Sequence, residues 1–164
     1  MDDPTLDHRR DGTDAVEGRA SYERDYFSWV QEQVALIRAR RFDEVDAEHV
    51  AEELEDLGKS QLSRLHSTLR VLVMHMLKWD QQPEHRTASW IFSIAEQRRR
   101  YRRLLRDNPG LKPHREATLA DAYEEARLWA ADETHLEPDD FPKACPYTWD
   151  DLLDRPFDFD SLKK

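Results

Sequence analysis

The chain has 164 residues, room for one ordinary domain, and carries 35 acidic against 25 basic side chains for a net charge of -10. Four glycines are too few for glycine-rich phosphate loops or a series of tight hairpins, and one cysteine excludes an intrachain disulfide framework or a cysteine-built zinc site. Charged residues reach 37% of the chain, but five Trp, five Tyr and six Phe supply a lean core.

Residues 1–20 hold six acids, three arginines and two glycines with almost nothing to bury, and read as a disordered tail. From Ser21, a candidate N-cap, the residues Tyr22, Tyr26, Trp29, Val30, Val34 and Ile37 recur at helical spacing and predict a first helix over 21–40. A connector, Phe42 to Val45, leads to Asp46, a second capping residue. The stripe Val50, Leu54, Leu57, then Leu65, Leu69, Leu72, Met76 and Trp79, predicts one helix over 46–80. Gly58 is its weak point, and the residues after it offer no turn chemistry, so continuity is expected.

Thr87 opens a third helix, 87–107, with Trp90, Ile94, Gln97, Tyr101 and Leu104 on one face; Asn108, Pro109 and Gly110 stop it. Pro113 suits the first turn of a fourth, 113–135, striped by Leu119, Tyr123, Ala126 and Ala130. Four prolines after Leu136 leave an irregular segment, in which Thr148 and Asp151 form a capping box for one short helix. The expected fold is all-α: a bundle of four main helices with an irregular acidic C-terminal segment, residues 21–164 making one domain. No apolar run suits a signal peptide or a membrane span, which points to a cytoplasmic protein with no membrane partner.

Several motifs fall in order along this chain. They are Tyr22–Glu23–Arg24–Asp25–Tyr26 with Trp29, Ala51–Glu52–Glu53–Leu54–Glu55 closing on Leu57–Gly58, and His75–Met76–Leu77–Lys78–Trp79. Ser89–Trp90, Glu96–Gln97–Arg98, Asn108–Pro109, Phe141–Pro142 and Cys145–Pro146–Tyr147 follow. Together they resemble the bacterial family called domain of unknown function 29, over about residues 21–157, with Gly110 a minor departure. The resemblance implies a small helical bacterial protein and brings no activity, cofactor or catalytic residue.

His75, Lys78 and Trp79 fall within one turn of the second helix, and the reversal near Pro83 places Trp90 in their layer. A histidine, a lysine and two indoles in one layer suit a pocket for an anion or an aromatic ligand. They suit better a packed polar layer with the indoles as core, because bundle aromatics usually just pack. His75 is expected buried and neutral unless a carboxylate such as Glu96 reaches it. Glu53 lies close to the apolar stripe, where a carboxylate needs partners, and Gln33 stands opposite it across the first hairpin. No Glu-x-x-His pair occurs, and Asp46 with His49 or Asp132 with His135 only imitate one near helix ends. Neither a metal nor a cofactor is therefore expected. Gly58–Lys59–Ser60 lacks the earlier glycine and strand of a phosphate loop, and Cys145 has no base near it in sequence.

Six arginines crowd the third helix from Arg98 to Arg106, and Arg99, Arg102, Arg103 and Arg106 share one face. Such a stripe suits phosphates, yet residues 132–160 carry ten acids against two bases, a counter-charge within the same chain. The expectation is that the acidic segment docks there through Phe141, Tyr147, Trp149 and Leu152, and that nucleic acid does not. The functional reading is a non-enzymatic interaction or accessory protein offering helical faces to a protein partner. The alternatives are a ligand binder or small enzyme built on the His75–Lys78–Trp79–Trp90 layer, and nucleic-acid binding through the arginine stripe.

Overall fold

The computed structural model describes residues 21–158 and Asp160; the expected tail at 1–20 lies outside them. Five α-helices follow one another: α1 Tyr26–Arg38, α2 Ala47–Gln81, α3 Ala88–Asp107, α4 Arg115–Thr134 and α5 Trp149–Asp154. Short 3-10 turns at Phe42–Glu44, Pro83–His85, Pro109–His114 and Pro138–Asp140 separate them, and no strand occurs among the described residues. The fold is all-α, with four main helices and an acidic C-terminal segment carrying one short one. No helix among the described residues is long and apolar enough to cross a membrane.

Two boundaries differ from the sequence reading. Residues 21–24 form a turn, with the amides of Arg24 and Asp25 donating to the Ser21 carbonyl at 3.1 and 2.9 Å. The helix starts later because Asp25 is the better cap: its carboxylate accepts from the Ser28 amide at 3.0 Å. Pro113 lies inside the 3-10 turn Pro109–His114, so α4 opens at Arg115 rather than at 113. Gly58, by contrast, sits within the unbroken α2.

By its contacts the chain divides into two compact units, one ending at Asp56 and the other starting at Leu57. In the first, α1 and the opening turns of α2 form a hairpin. Arg38 ends α1, and Arg40, in the left-handed region at φ 58°, reverses the chain. Its amide and that of Arg41 donate back to the Ile37 and Leu36 carbonyls, which closes the helix end. The buried side chains of α1 are Trp29, Gln33 and Leu36. That face lies one position off the stripe read from the sequence, and it leaves Phe27, Val34 and Ile37 exposed at 72%, 36% and 41%.

The second unit holds the main core. Leu65, Leu69, Leu72 and Met76 of α2 repeat at helical spacing and are fully buried, against Ile94, Tyr101 and Leu105 of α3. From α4 come Leu119, Tyr123 and the alanines 122, 126 and 130, small enough to let helix backbones approach. Each fully buried leucine contributes about 2 kcal/mol of transfer free energy. Phe141 and Leu152 join the same core, so the C-terminal segment is anchored by apolar side chains.

Candidate functional site

In the layer around His75, Lys78 and Trp90 meet. Lys78 is buried, yet its ammonium bonds the Glu133 carboxylate and lies 4.7 Å from the centre of the Trp90 ring. A buried cation with both an anion and a ring face against it is satisfied without a ligand. Trp79 packs edge-on to Phe157 at 5.4 Å and receives the Arg86 guanidinium on its face at 4.7 Å. His75 is half-buried and turns Nδ1 to its own helix, 2.9 Å from the Val71 carbonyl, so the ring nitrogen that carries the proton is the donor. Burial pushes its pKa down, and the charge of Lys78 pushes the same way. Glu96 does not reach His75; it pairs with Arg99 and, at 2.7 Å, with Arg100. The structure thus brings Lys78 and Trp90 together, adds Glu133, and sets His75 and Trp79 on partners of their own.

The hairpin of the first unit is built on polar groups. Asp46 sits at the head of α2 and takes the His49 amide on Oδ1 at 3.4 Å. Its Oδ2 meets the His49 ring at 2.7 Å and accepts from the Trp29 indole at 3.2 Å. Gln33 does not bond Glu53 as expected; its Oε1 accepts from the Asp46 amide at 2.8 Å. The pairing shifts because the chain reverses at Arg40, before the connector at Phe42–Val45 where the sequence reading put it. Glu53, half-buried, therefore faces the start of the described chain and accepts from the hydroxyls of Tyr22 and Tyr26 at 2.6 and 2.7 Å. Tyr22 also stacks on His49, ring centres 4.2 Å apart.

Electrostatics follow from these bonds. The hydrogen bond to Glu53, then burial, push the Tyr22 phenol up to about 12, and the same bond raises Tyr26. Asp46 raises His49 through their hydrogen bond, against a smaller opposing effect of burial. Burial alone would raise Asp46, but the hydrogen bonds from His49 and Trp29 hold it below its ordinary value. The assembly is an Asp–His pair whose carboxylate is fully used in capping and clamping a turn.

The arginines of α3 divide by task. Arg98 is half-buried and donates to three carbonyls of the α5 end, those of Leu152, Arg155 and Asp151, at 2.7, 2.7 and 2.8 Å. A planar fork of donors suits the free carbonyls of a helix C-terminus. Arg102 donates to the Leu153 carbonyl at 2.7 Å and to Asp154 at 2.8 Å. Arg99 pairs with Glu96 and Arg106 with Asp107, both local contacts, and Arg103 lines a groove between α2 and α3. Trp149 stacks on Tyr101 at 5.6 Å and bonds Glu116 at 2.6 Å, while Tyr147 bonds Asp80 at 2.8 Å.

The sequence model of the family described as Domain of unknown function DUF29 matches residues 21–158. The chain belongs to the DUF29 family. A search of curated proteins and a search of solved structures each found no match. Membership of DUF29 carries no activity with it, so the chemistry rests on the residues themselves.

Sequence reasoning passed over three groups in this DUF29 chain. Arg98 was counted with its neighbours, although it makes three of the bonds to the end of α5. Asp80 was not singled out, yet it takes Arg155 on both oxygens. The Trp29–Asp46–His49 clamp had one legible signal, a capping aspartate followed three residues later by histidine. Among the described residues no group of three or more His, Cys, Asp and Glu side chains is placed to hold a metal ion.

Proposed function

We propose that this DUF29 protein is a non-enzymatic interaction protein of the bacterial cytoplasm, and that its first hairpin docks a partner protein. One observation carries this reading: α1 turns much of its apolar surface outward. Its inner face holds Trp29 and Leu36 beside the polar contacts of Gln33, Asp46, His49 and Glu53, while Phe27, Val34 and Ile37 of α1 and Leu54 of α2 are exposed. Apolar side chains recurring along a helix face at 27, 34 and 37 need cover, and such a patch on a folded chain marks an interface. Residues 21–56 also hold eleven carboxylates against four arginines, so the partner surface is apolar with a basic rim.

The groups that an enzyme would use support the same reading. Burial pushes the Cys145 thiol up, away from the reactive thiolate. The tyrosines of the hairpin are held protonated by Glu53, and the Lys78 ammonium is paired with Glu133. Native mass spectrometry of the chain isolated from its host tests the reading. A defined complex with a second polypeptide is expected, lost in the Phe27→Ser/Ile37→Ser variant. A monomer, or a complex of this chain with itself alone, overturns it.

A further inference from the structure

A groove of about 570 Å³ runs between α2 and α3, lined on one side by Gln61, Arg64 and Thr68 with Ser63 and Ser67, and on the other by Glu96, Arg100, Arg103 and Asp107. The reversal at Pro83–His85 makes the two helices antiparallel, so Arg64 and Arg103 lie about equally far from it and come level across the groove. Glu96 holds Arg100, and Arg106 holds Asp107. Among the described residues neither Arg64 nor Arg103 makes an ion pair or donates a side-chain hydrogen bond. Both guanidiniums line one opening with their hydrogen-bond donors unused, and Arg103 also feels the charge of Glu96, so an anion placed there meets two free donor forks. The serines at 63 and 67, one turn apart, add hydroxyl donors at the same level.

We propose that this groove binds a small phosphomonoester, its dianion held between Arg64 and Arg103. The fork geometry of two arginines suits the three terminal oxygens of a phosphomonoester. The carboxylates decide the size of the ligand. Glu96 stands on one side of the arginine pair along α3 and Asp107 on the other, so each end of the groove carries a carboxylate already paired with an arginine. A continuous polyanion such as a nucleic-acid strand would have to displace those pairs or pass the carboxylates at each end. A molecule with one phosphate and hydroxyl groups places the charge centrally and donates hydrogen bonds from its hydroxyls to the carboxylates. The volume is that of a small-molecule site. Every lining residue named falls within the unit starting at Leu57, and the proposal does not rest on the hairpin's docking role.

The test is an amide NMR titration of the full chain with glycerol 3-phosphate, inorganic phosphate and a 12-nucleotide single-stranded DNA. Glycerol 3-phosphate is expected to give saturable shifts confined to residues 61–68 and 100–108, with phosphate weaker at the same amides. The Arg64→Gln/Arg103→Gln variant changes two exposed side chains, so it keeps its helical circular dichroism and loses at least about tenfold in affinity. Three results overturn the proposal. They are no shifts at about 20 mM ligand, equal affinity for phosphate and glycerol 3-phosphate, and tighter binding of the DNA than of the phosphomonoester.

Discussion

Asp80 near the end of α2 and Arg155 just beyond α5 meet in a two-pronged ion pair, Nη2 to Oδ1 at 2.6 Å and Nη1 to Oδ2 at 2.9 Å, across 75 positions of sequence. Tyr147 donates to the same carboxylate, so one aspartate ties down two points of the C-terminal segment. Both charged side chains are about two-thirds shielded, enough for the pair to matter. Arg155→Ala is expected to cost about 2 kcal/mol by urea unfolding. Limited proteolysis should cut the variant first within 137–158.

Arg98 and Arg99 are neighbours with opposite expectations. Arg98→Lys keeps the charge and loses the fork that serves three carbonyls, at a cost of about 1–3 kcal/mol. Arg99→Ala removes an exposed local pair and should stay within about 0.5 kcal/mol of the parent. Equal losses in the two variants would show that charge alone places α5.

The Asp46–His49 pair gives the hairpin a pH window. Because His49 is raised in the fold, its contribution is full below the ordinary value of 6.5 and fades as pH climbs through the raised one. Because Asp46 is lowered, its contribution is present above 3.8 and fades as pH falls through the lowered value. The advantage of the parent over His49→Gln, followed at the Trp29 indole NMR signal during heating, should be present at pH 5.5 and gone by pH 8.5. An advantage constant across that range would contradict the pairing.

Lys78 separates a packed layer from a binding site. Replacing it by Met removes a buried ammonium and leaves Glu133, itself 45% exposed, to water. Lys78→Met should change stability by no more than about 1 kcal/mol and leave partner binding intact. Loss of partner binding in a folded Lys78→Met protein would favour the His75–Lys78–Trp79–Trp90 layer as a site.

What the sequence disclosed and what it hid divide along local and long-range physics. Thr87 as the cap of α3, Thr148 with Asp151 as the cap of α5, and the core stripe from Leu65 to Met76 are local signals, and each is where it was read. The start of α1 was misplaced because Ser21 and Asp25 both cap well and Tyr22 extends the periodicity one turn too far. The partner of Gln33 was misread because a hairpin register depends on which residue turns left-handed, and nothing in Arg40 as a residue type announces φ 58°. Arg98 sits in a run of like residues, and only the arrival of α5 from more than 50 positions away distinguishes it. The outward apolar side chains of α1 were hidden for the same reason: its apolar periodicity admits two adjacent faces, and the polar contacts of Asp46 and Glu53 select between them.

The docking role of that hairpin is tested most directly by photo-crosslinking in the native host, with a photoreactive phenylalanine analogue placed at Phe27, at Ile37 and, as a control, at the exposed Glu124. Discrete adducts with one other polypeptide at positions 27 and 37, and none at 124, are the predicted result. The same adducts at all three positions, or none at 27 and 37, would contradict it.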